Sequence, residues 1–298
     1  MTTPADRPAR LAVGVISAGR VGAVLGAALA RAGHRVEAVA AVSDASRRRA
    51  DALLPGVAIR PPDEVAAAVD LLLLAVPDDS LGPLVGGLAA AGAVRRGSLV
   101  AHTSGAHGIR LLDPLAELGA LPLALHPVMT FTGTEVDLQR LDGAAFGVTS
   151  DEVLRPVAET LVLEMGGEPS WIAEELRPLY HAALAFGANQ LVTLVSQSAD
   201  LLSAAGVEAP QRMLGPLLGA ALDNALRSGD RALTGPVARG DSGTVSVHLS
   251  TLVERAPETV DAYVALSRLT AGRALAAGLL DVEKAADLLD ALATRKQS

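Results

Sequence analysis

No cysteine occurs in the 298 residues. Disulfides, thiolate nucleophiles and cysteine-ligated metals are thereby excluded, and no metal is expected. Aromatic residues make up only 2% of a chain that is half hydrophobic, so the core has to be built from Ala, Val and Leu. Small side chains let elements approach closely, which suits a layered α/β fold and packed helices. Positive charge is in deficit, with a formal net charge of −8. A nucleic-acid surface is therefore not expected. No uninterrupted apolar run reaches the ~18–20 residues that span a bilayer, and no membrane partner is expected. Met1 to Arg10 is polar, carries Pro4 and Pro8, and lacks the apolar stretch of a signal peptide. It reads as a disordered lead-in to a cytoplasmic protein. Lysine is nearly missing as well: only Lys284 and Lys296 occur.

What is present is an alternation of short apolar runs and helical stretches. Strands are expected at 11–16, 36–42, 57–60, 70–76, 98–102, 122–125, 144–149 and 169–172. Helices are expected between them at 21–32, 46–54, 63–69, 80–91 and 151–165. Such βαβ spacing calls for a doubly wound parallel sheet with helices on both faces, a Rossmann arrangement. Near Glu174 the strands stop. The rest reads as helices over 176–205, 211–228, 244–256, 258–277 and 282–294, punctuated by Gly206, Pro210 and the segment 229–243. The expected organisation is an α/β dinucleotide-binding domain over 1–173 and an all-helical substrate and dimerisation domain over 174–298.

A dinucleotide fingerprint needs small residues for a tight turn, for close approach to pyrophosphate, and for helix–strand packing. Ser17-Ala18-Gly19-Arg20-Val21-Gly22 follows the first strand and opens the first helix. Gly19 and Gly22 fill the second and third places, and Ser17 stands where a glycine is usual. The helix N-terminus offers free N–H groups to phosphate, and Arg20 adds a cation. The alternative is a tight turn with no ligand. At the end of the second strand NAD binders usually carry an acid. Here Ser43 stands first, with Arg47, Arg48 and Arg49 beyond, a pattern suited to a 2′-phosphate and hence to NADP(H). Asp44 leaves NAD open, and a solvated basic helix turn is the bland alternative.

Further stretches, in order, are Ala75-Val76-Pro77-Asp78-Asp79, His102-Thr103-Ser104-Gly105, His126-Pro127, Tyr180-His181-Ala182-Ala183 with Asn189 downstream, and 233–241 with Arg239 and Asp241. This order resembles the superfamily of 6-phosphogluconate dehydrogenase, β-hydroxyacid dehydrogenases, ketopantoate reductase and pyrroline-5-carboxylate reductase. More closely, it resembles a bacterial family that joins a Rossmann-like domain to a C-terminal domain of unknown function, family 2520. The resemblance implies NADP(H) between the domains, a cleft site and a homodimer. It names no substrate, although some such relatives are associated with ketopantoate reduction in pantothenate synthesis.

Ligands of open α/β sheets bind beyond the carboxyl ends of the strands. Val76, Pro77 and Asp78 are expected to face the nicotinamide half of the cofactor. Thr103, Ser104 and Gly105 are expected to bind a substrate carboxylate or the nicotinamide amide. His126 is a catalytic candidate, and for it and His102 a backbone-satisfied strand-end histidine is the even alternative. Asn189, Thr193, Ser196 and Asp200 form one polar stripe on a helix, facing either a cleft or a neighbouring helix or solvent. In the dehydrogenases it resembles, a lysine four residues before the asparagine protonates the product, and here that place is Ala185. His181 is the expected replacement acid, with Asn189 bordering the same cleft. Arg239 is expected to hold a carboxylate, with Asp241 orienting it or capping the next helix. His248 is expected at a partner's cleft, while Trp171 and Tyr263 read as packing.

The leading expectation is an NADPH-dependent oxidoreductase reducing a small 2-keto acid, with ketopantoate the specific candidate. Imine reduction of the pyrroline-5-carboxylate kind is the second reading. A non-catalytic NADP-binding regulatory protein is the third.

Overall fold

The computed structural model describes residues 10–293. The reading of Met1 to Ala9, and the last residue of the final expected helix, lie outside these. The chain forms two compact units, 1–185 and 186–298.

The first unit is built on β1 (Ala12–Ile16), α1 (Arg20–Arg31), β2 (Arg35–Ala40), α2 (Asp44–Leu53), β3 (Ala58–Ile59), α3 (Pro62–Ala67), β4 (Leu71–Leu74), α4 (Asp78–Ala90) and β5 (Leu99–His102). It continues with α5 (Asp113–Ala116), β6 (Leu121–Pro127), α6 (Val136–Arg140), β7 (Ala145–Ser150), α7 (Arg155–Glu164) and β8 (Glu168–Trp171). The eight strands lie in the order β3-β2-β1-β4-β5-β6-β7-β8. Strand order reverses between β1 and β4, which is where such sheets bind dinucleotides.

The Leu71–Leu74 run shows why the sheet is buried on both sides. Leu71 and Leu73 pack with Val24, Leu25 and Leu161, whereas Leu72 and Leu74 pack with Val65, Leu81 and Val85. Alternate side chains point to opposite faces of a strand, so an unbroken apolar run demands helices on each. One expectation needs correcting: the sheet is mixed rather than wholly parallel. β7 runs antiparallel to β6, with His126 opposite Gly147, and parallel to β8. A strand buried on both faces has the same sequence pattern in either direction, so the reversal left no mark on the pattern.

The long helix α8 (Arg177–Ala204) contains the division between the units. Arg177 and Tyr180, in its first turn, bond to the sheet, which places those residues with the first unit. The second unit adds α9 (Pro210–Ser228), α10 (Gly235–Arg239), α11 (Ser242–Arg255), α12 (Val260–Ala276) and α13 (Val282–Ala293). Its core is small and alanine-rich, gathering Ala238, Val245, Ala271, Ala274, Ala285 and Leu288. Large apolar side chains on α8 and α9, among them Phe186, Val192, Leu217 and Leu226, stand more than half exposed. Among the described residues no helix is long and apolar enough to cross a membrane.

Candidate active site

The loop after β1 makes its turn at Ser17, whose φ is +79°. That left-handed conformation is the one glycine normally supplies, and it explains the usual glycine at this place. The amides of Ser17 and Ala18 both donate to the Ala40 carbonyl, which fastens the turn to β2. Gly22 is where α1 meets the sheet most closely. A Cβ there would strike the Ser17 carbonyl and lie 2.9 Å from the Ala75 Cβ. The N-cap of α1 is Gly19, and no side chain caps the helix. The amides of the first turn, Arg20 to Gly22, have no intrahelical acceptor, so they remain available to an anion.

Two arginines flank this helix start. A Cβ on Gly133 would lie 2.9 Å from carbons of both Arg20 and Arg49, so their side chains converge on the loop after β6. Asp137 shapes that loop. Its fully buried carboxylate accepts from the amides of Thr132 and Gly133 at 2.8 and 2.7 Å. Burial pushes its pKa up, but these bonds and the Thr132 hydroxyl outweigh that and hold it below the usual range. Neither Asp137 nor Arg49's role there was legible, because both depend on a packing of distant segments. Ser43 caps α2, its hydroxyl accepting from the Ser46 amide at 3.1 Å, and Arg47 is exposed with Nε 3.4 Å from the Ala41 carbonyl.

Beyond the carboxyl ends of β4, β5 and β6 the structure brings several expected residues together. Val76 is half-buried, while Pro77 and Asp78 are exposed at the start of α4. Thr103 is half-buried, and Ser104 and Gly105 are buried. The Ser104 hydroxyl accepts from the His107 amide at 3.2 Å. His102 is the satisfied strand-end histidine: Nε2 donates to the Gly108 carbonyl at 2.8 Å and Nδ1 accepts from the Ser104 amide at 3.2 Å.

His126 differs. It is half-buried, its Nδ1 is 2.8 Å from the Tyr180 hydroxyl, and its ring meets His181 edge-on at 6.2 Å between centroids. Both imidazoles converge on Gly105, where a Cβ would lie 2.7 Å from His181 Cδ2 and 2.9 Å from His126 Nε2. Beneath them lies Arg177, fully buried. Its guanidinium donates to the carbonyls of Ser104, Ala124 and Gly147 and to the Thr149 hydroxyl, at 2.8 to 3.2 Å. These acceptors are neutral, and Glu174 offsets the charge only through space. Glu174 instead accepts from the amides of Ile109 and Arg110, fixing the loop beyond Gly105. Sequence reasoning missed Arg177 and had Tyr180 only as part of a motif. The available signal was the Tyr-His pair at the head of a long helix.

Burial, then the Arg177 charge, then His181, press the His126 pKa down to about 4, and burial presses His102 to about 4 as well. Both rings are therefore neutral near neutrality. Their folded values lie below the ordinary 6.5, so between those limits the folded chain binds fewer protons than the unfolded one. Stability must then fall as pH drops from about 6.5 to about 4, by on the order of 3 kcal/mol for each ring, and level off below for these groups. Urea denaturation at neutral and mildly acidic pH measures this. A midpoint constant across that window contradicts it.

In the second unit, Asn189 and Thr193 lie on an α8 segment exposed on all sides, so no stripe is set apart there. Arg239 is exposed at the end of α10. Asp241 caps α11, both its oxygens serving Thr244, so its bonds do not orient Arg239. His248 Nδ1 is 2.9 Å from the Tyr263 hydroxyl. Tyr263 packs against the core of this unit as expected, with its hydroxyl on His248, whereas the packing expectation for Trp171 needs correction: it is 37% exposed under the Arg155 guanidinium.

Fold and loop together define a Rossmann-like protein with a helical second part. Residues 1–127 match the Rossmann-like domain, and residues 144–270 match the Domain of unknown function DUF2520, so the chain joins a domain of each family. No curated protein matches the sequence significantly. Among solved structures, a candidate NADP oxidoreductase from Bacteroides fragilis is similar with a TM-score of 0.72 and 21% identity, over 88% of this chain and 98% of that one. An imine reductase from a Pseudomonas species has a TM-score of 0.65 and 20% identity, over 95% of this chain and 100% of that one. A reductive aminase from Aspergillus terreus, in complex with NADPH4, cyclohexanone and allyl amine, has a TM-score of 0.60 and 18% identity, over 94% and 100%. At these identities the likeness is one of fold.

Proposed function

We propose that the protein is an NADP(H)-dependent oxidoreductase that reduces a small carbonyl compound. The observation that carries this reading is the uncapped start of α1 at the strand-order reversal, with Ser17 in the left-handed turn and Gly22 held against Ala75. Three free amides there suit a pyrophosphate, and Arg20, Arg47 and Arg49 supply cations for a further phosphate. The likeness to a candidate NADP oxidoreductase and to a reductive aminase in complex with NADPH4 supports the same cofactor.

Bound there, the reduced nicotinamide would supply a hydride. The chain has to supply a proton, and the His126–Tyr180–His181 cluster is the group of donors beyond the strand ends. The buried Arg177 beneath it, bonded only to neutral acceptors, favours a neutral or anionic substrate over a cation. We therefore take a small 2-keto acid as substrate, ketopantoate being the first to test. The second reading, imine reduction, is favoured by the likeness to an imine reductase. Loss of NADPH absorbance across a panel of 2-keto acids and cyclic imines separates the two. NADPH binding without turnover on any of them would favour a regulatory role instead. Pairing of two chains through the exposed apolar faces of α8 and α9 completes the proposal, and light scattering of the full chain reads it.

A further inference from the structure

The polar atoms around His126 have a directional order. The Tyr180 hydroxyl lies against Gly147, and its hydrogen-bond partner among the described residues is His126 Nδ1; a phenol is a stronger donor than a neutral imidazole and the imidazole the stronger acceptor. The phenol's proton thus points at His126 Nδ1, 2.8 Å away. An imidazole that accepts at Nδ1 carries its proton on Nε2 when neutral. Nε2 is the atom that faces Gly105 and the edge of His181, and no described protein group accepts from it. The Arg177 guanidinium carbon stands 5.7 Å from the Tyr180 ring centre and gives a permanent cation on the phenol's side.

We infer that His126 is the catalytic proton donor, acting from Nε2, and that Tyr180 replaces the proton at Nδ1. The inference rests on the reductase reading for its use. With a hydride supplied to the substrate carbon by the bound cofactor, the C=O π pair would move onto oxygen. The Nε2–H bond breaks toward that oxygen, and the Tyr180 O–H breaks toward Nδ1. Imidazole stays neutral throughout and changes only its tautomer. The negative charge ends on the phenolate, beside the Arg177 guanidinium, until water returns a proton. This route avoids an imidazolium beside a buried guanidinium. Burial raises the Tyr180 pKa, and the Arg177 charge opposes that rise and so favours the phenolate. Arg177 also lowers the His126 pKa, which is the same preference for a neutral ring.

The test is nitrogen-15 NMR of the histidines in the full chain, with and without Tyr180→Phe. The expected result is a fixed Nε2–H tautomer of His126 at neutral pH, lost to a mixture in Tyr180→Phe. An Nδ1–H tautomer in the wild type overturns the relay, because Tyr180 would then be the acceptor. With a 2-keto acid probe that turns over, Tyr180→Phe should lower kcat by roughly 10²-fold, leave the KM for NADPH unchanged and shift the pH profile. An unchanged kcat and profile also overturns it. Absence of NADPH binding would overturn the reductase reading together with the relay's use, whereas the wrong tautomer overturns the relay alone.

Discussion

Arg177→Met should unfold the protein's first unit more readily than any other single change at the site, with a loss of about 3–5 kcal/mol. Replacing a buried ion pair by apolar side chains is often harmless, because both desolvated charges leave together. That escape is closed here. The partners of Arg177 are the main-chain carbonyls of Ser104, Ala124 and Gly147, and these stay behind whatever replaces it. Each buried acceptor left unpaired costs about 1–3 kcal/mol. Methionine fills the aliphatic space and satisfies none of them. Lysine keeps the charge, but its single ammonium cannot match a planar fork serving four acceptors. Set against a typical total of about 5–15 kcal/mol, the change removes a large share of stability. Thermal and urea unfolding of Arg177→Met and Arg177→Lys read it, and a midpoint equal to wild type would contradict the account.

Gly22→Ala should abolish tight NADPH binding while the chain stays folded. The added Cβ meets the Ser17 carbonyl, the Ala75 Cβ at 2.9 Å and Val15 Cγ1 at 3.2 Å. Two of these belong to a strand and its extension, so α1 has to give way and the free amides of its first turn shift. Overpacking of this kind costs typically about 1–3 kcal/mol of stability. The cost to binding should be at least tenfold, or about 1.4 kcal/mol, because phosphate recognition depends on the position of those amides. Ser17→Gly is the matched comparison. Glycine relieves the left-handed strain at φ +79° but loosens the unfolded chain, so stability should stay within about 1 kcal/mol and binding should persist. Isothermal titration with NADPH reads both. Equal affinity of Gly22→Ala and wild type would sink the loop as the phosphate site.

The parts legible in the sequence were those whose signal is local. The Leu71–Leu74 run, the glycine spacing after β1 and the change of pattern near Glu174 each lie within a short window. Their physical cause, alternation on a strand or a tight turn into a helix, acts over a few residues. The direction of β7 was hidden because burial on both faces erases alternation in either orientation. The candidate site was half legible. His126 and His181 stood out as residue types, but the bond that distinguishes His126 from the merely satisfied His102 joins it to Tyr180, 54 positions away. Arg177 was the hardest to foresee. An arginine at a helix start reads as a solvated charge, and its acceptors lie 28, 30, 53 and 73 positions back in the chain. Asp241 went the other way. Its local capping geometry, with Thr244 three residues on, was readable and is what the structure contains.

Direct titration of the full-length protein with NADPH and with NADH, followed by nicotinamide fluorescence, tests the central claim. The account predicts saturable NADPH binding, with NADH at least tenfold weaker because it lacks the phosphate proposed for Arg20, Arg47 and Arg49. Binding of neither nucleotide would contradict it.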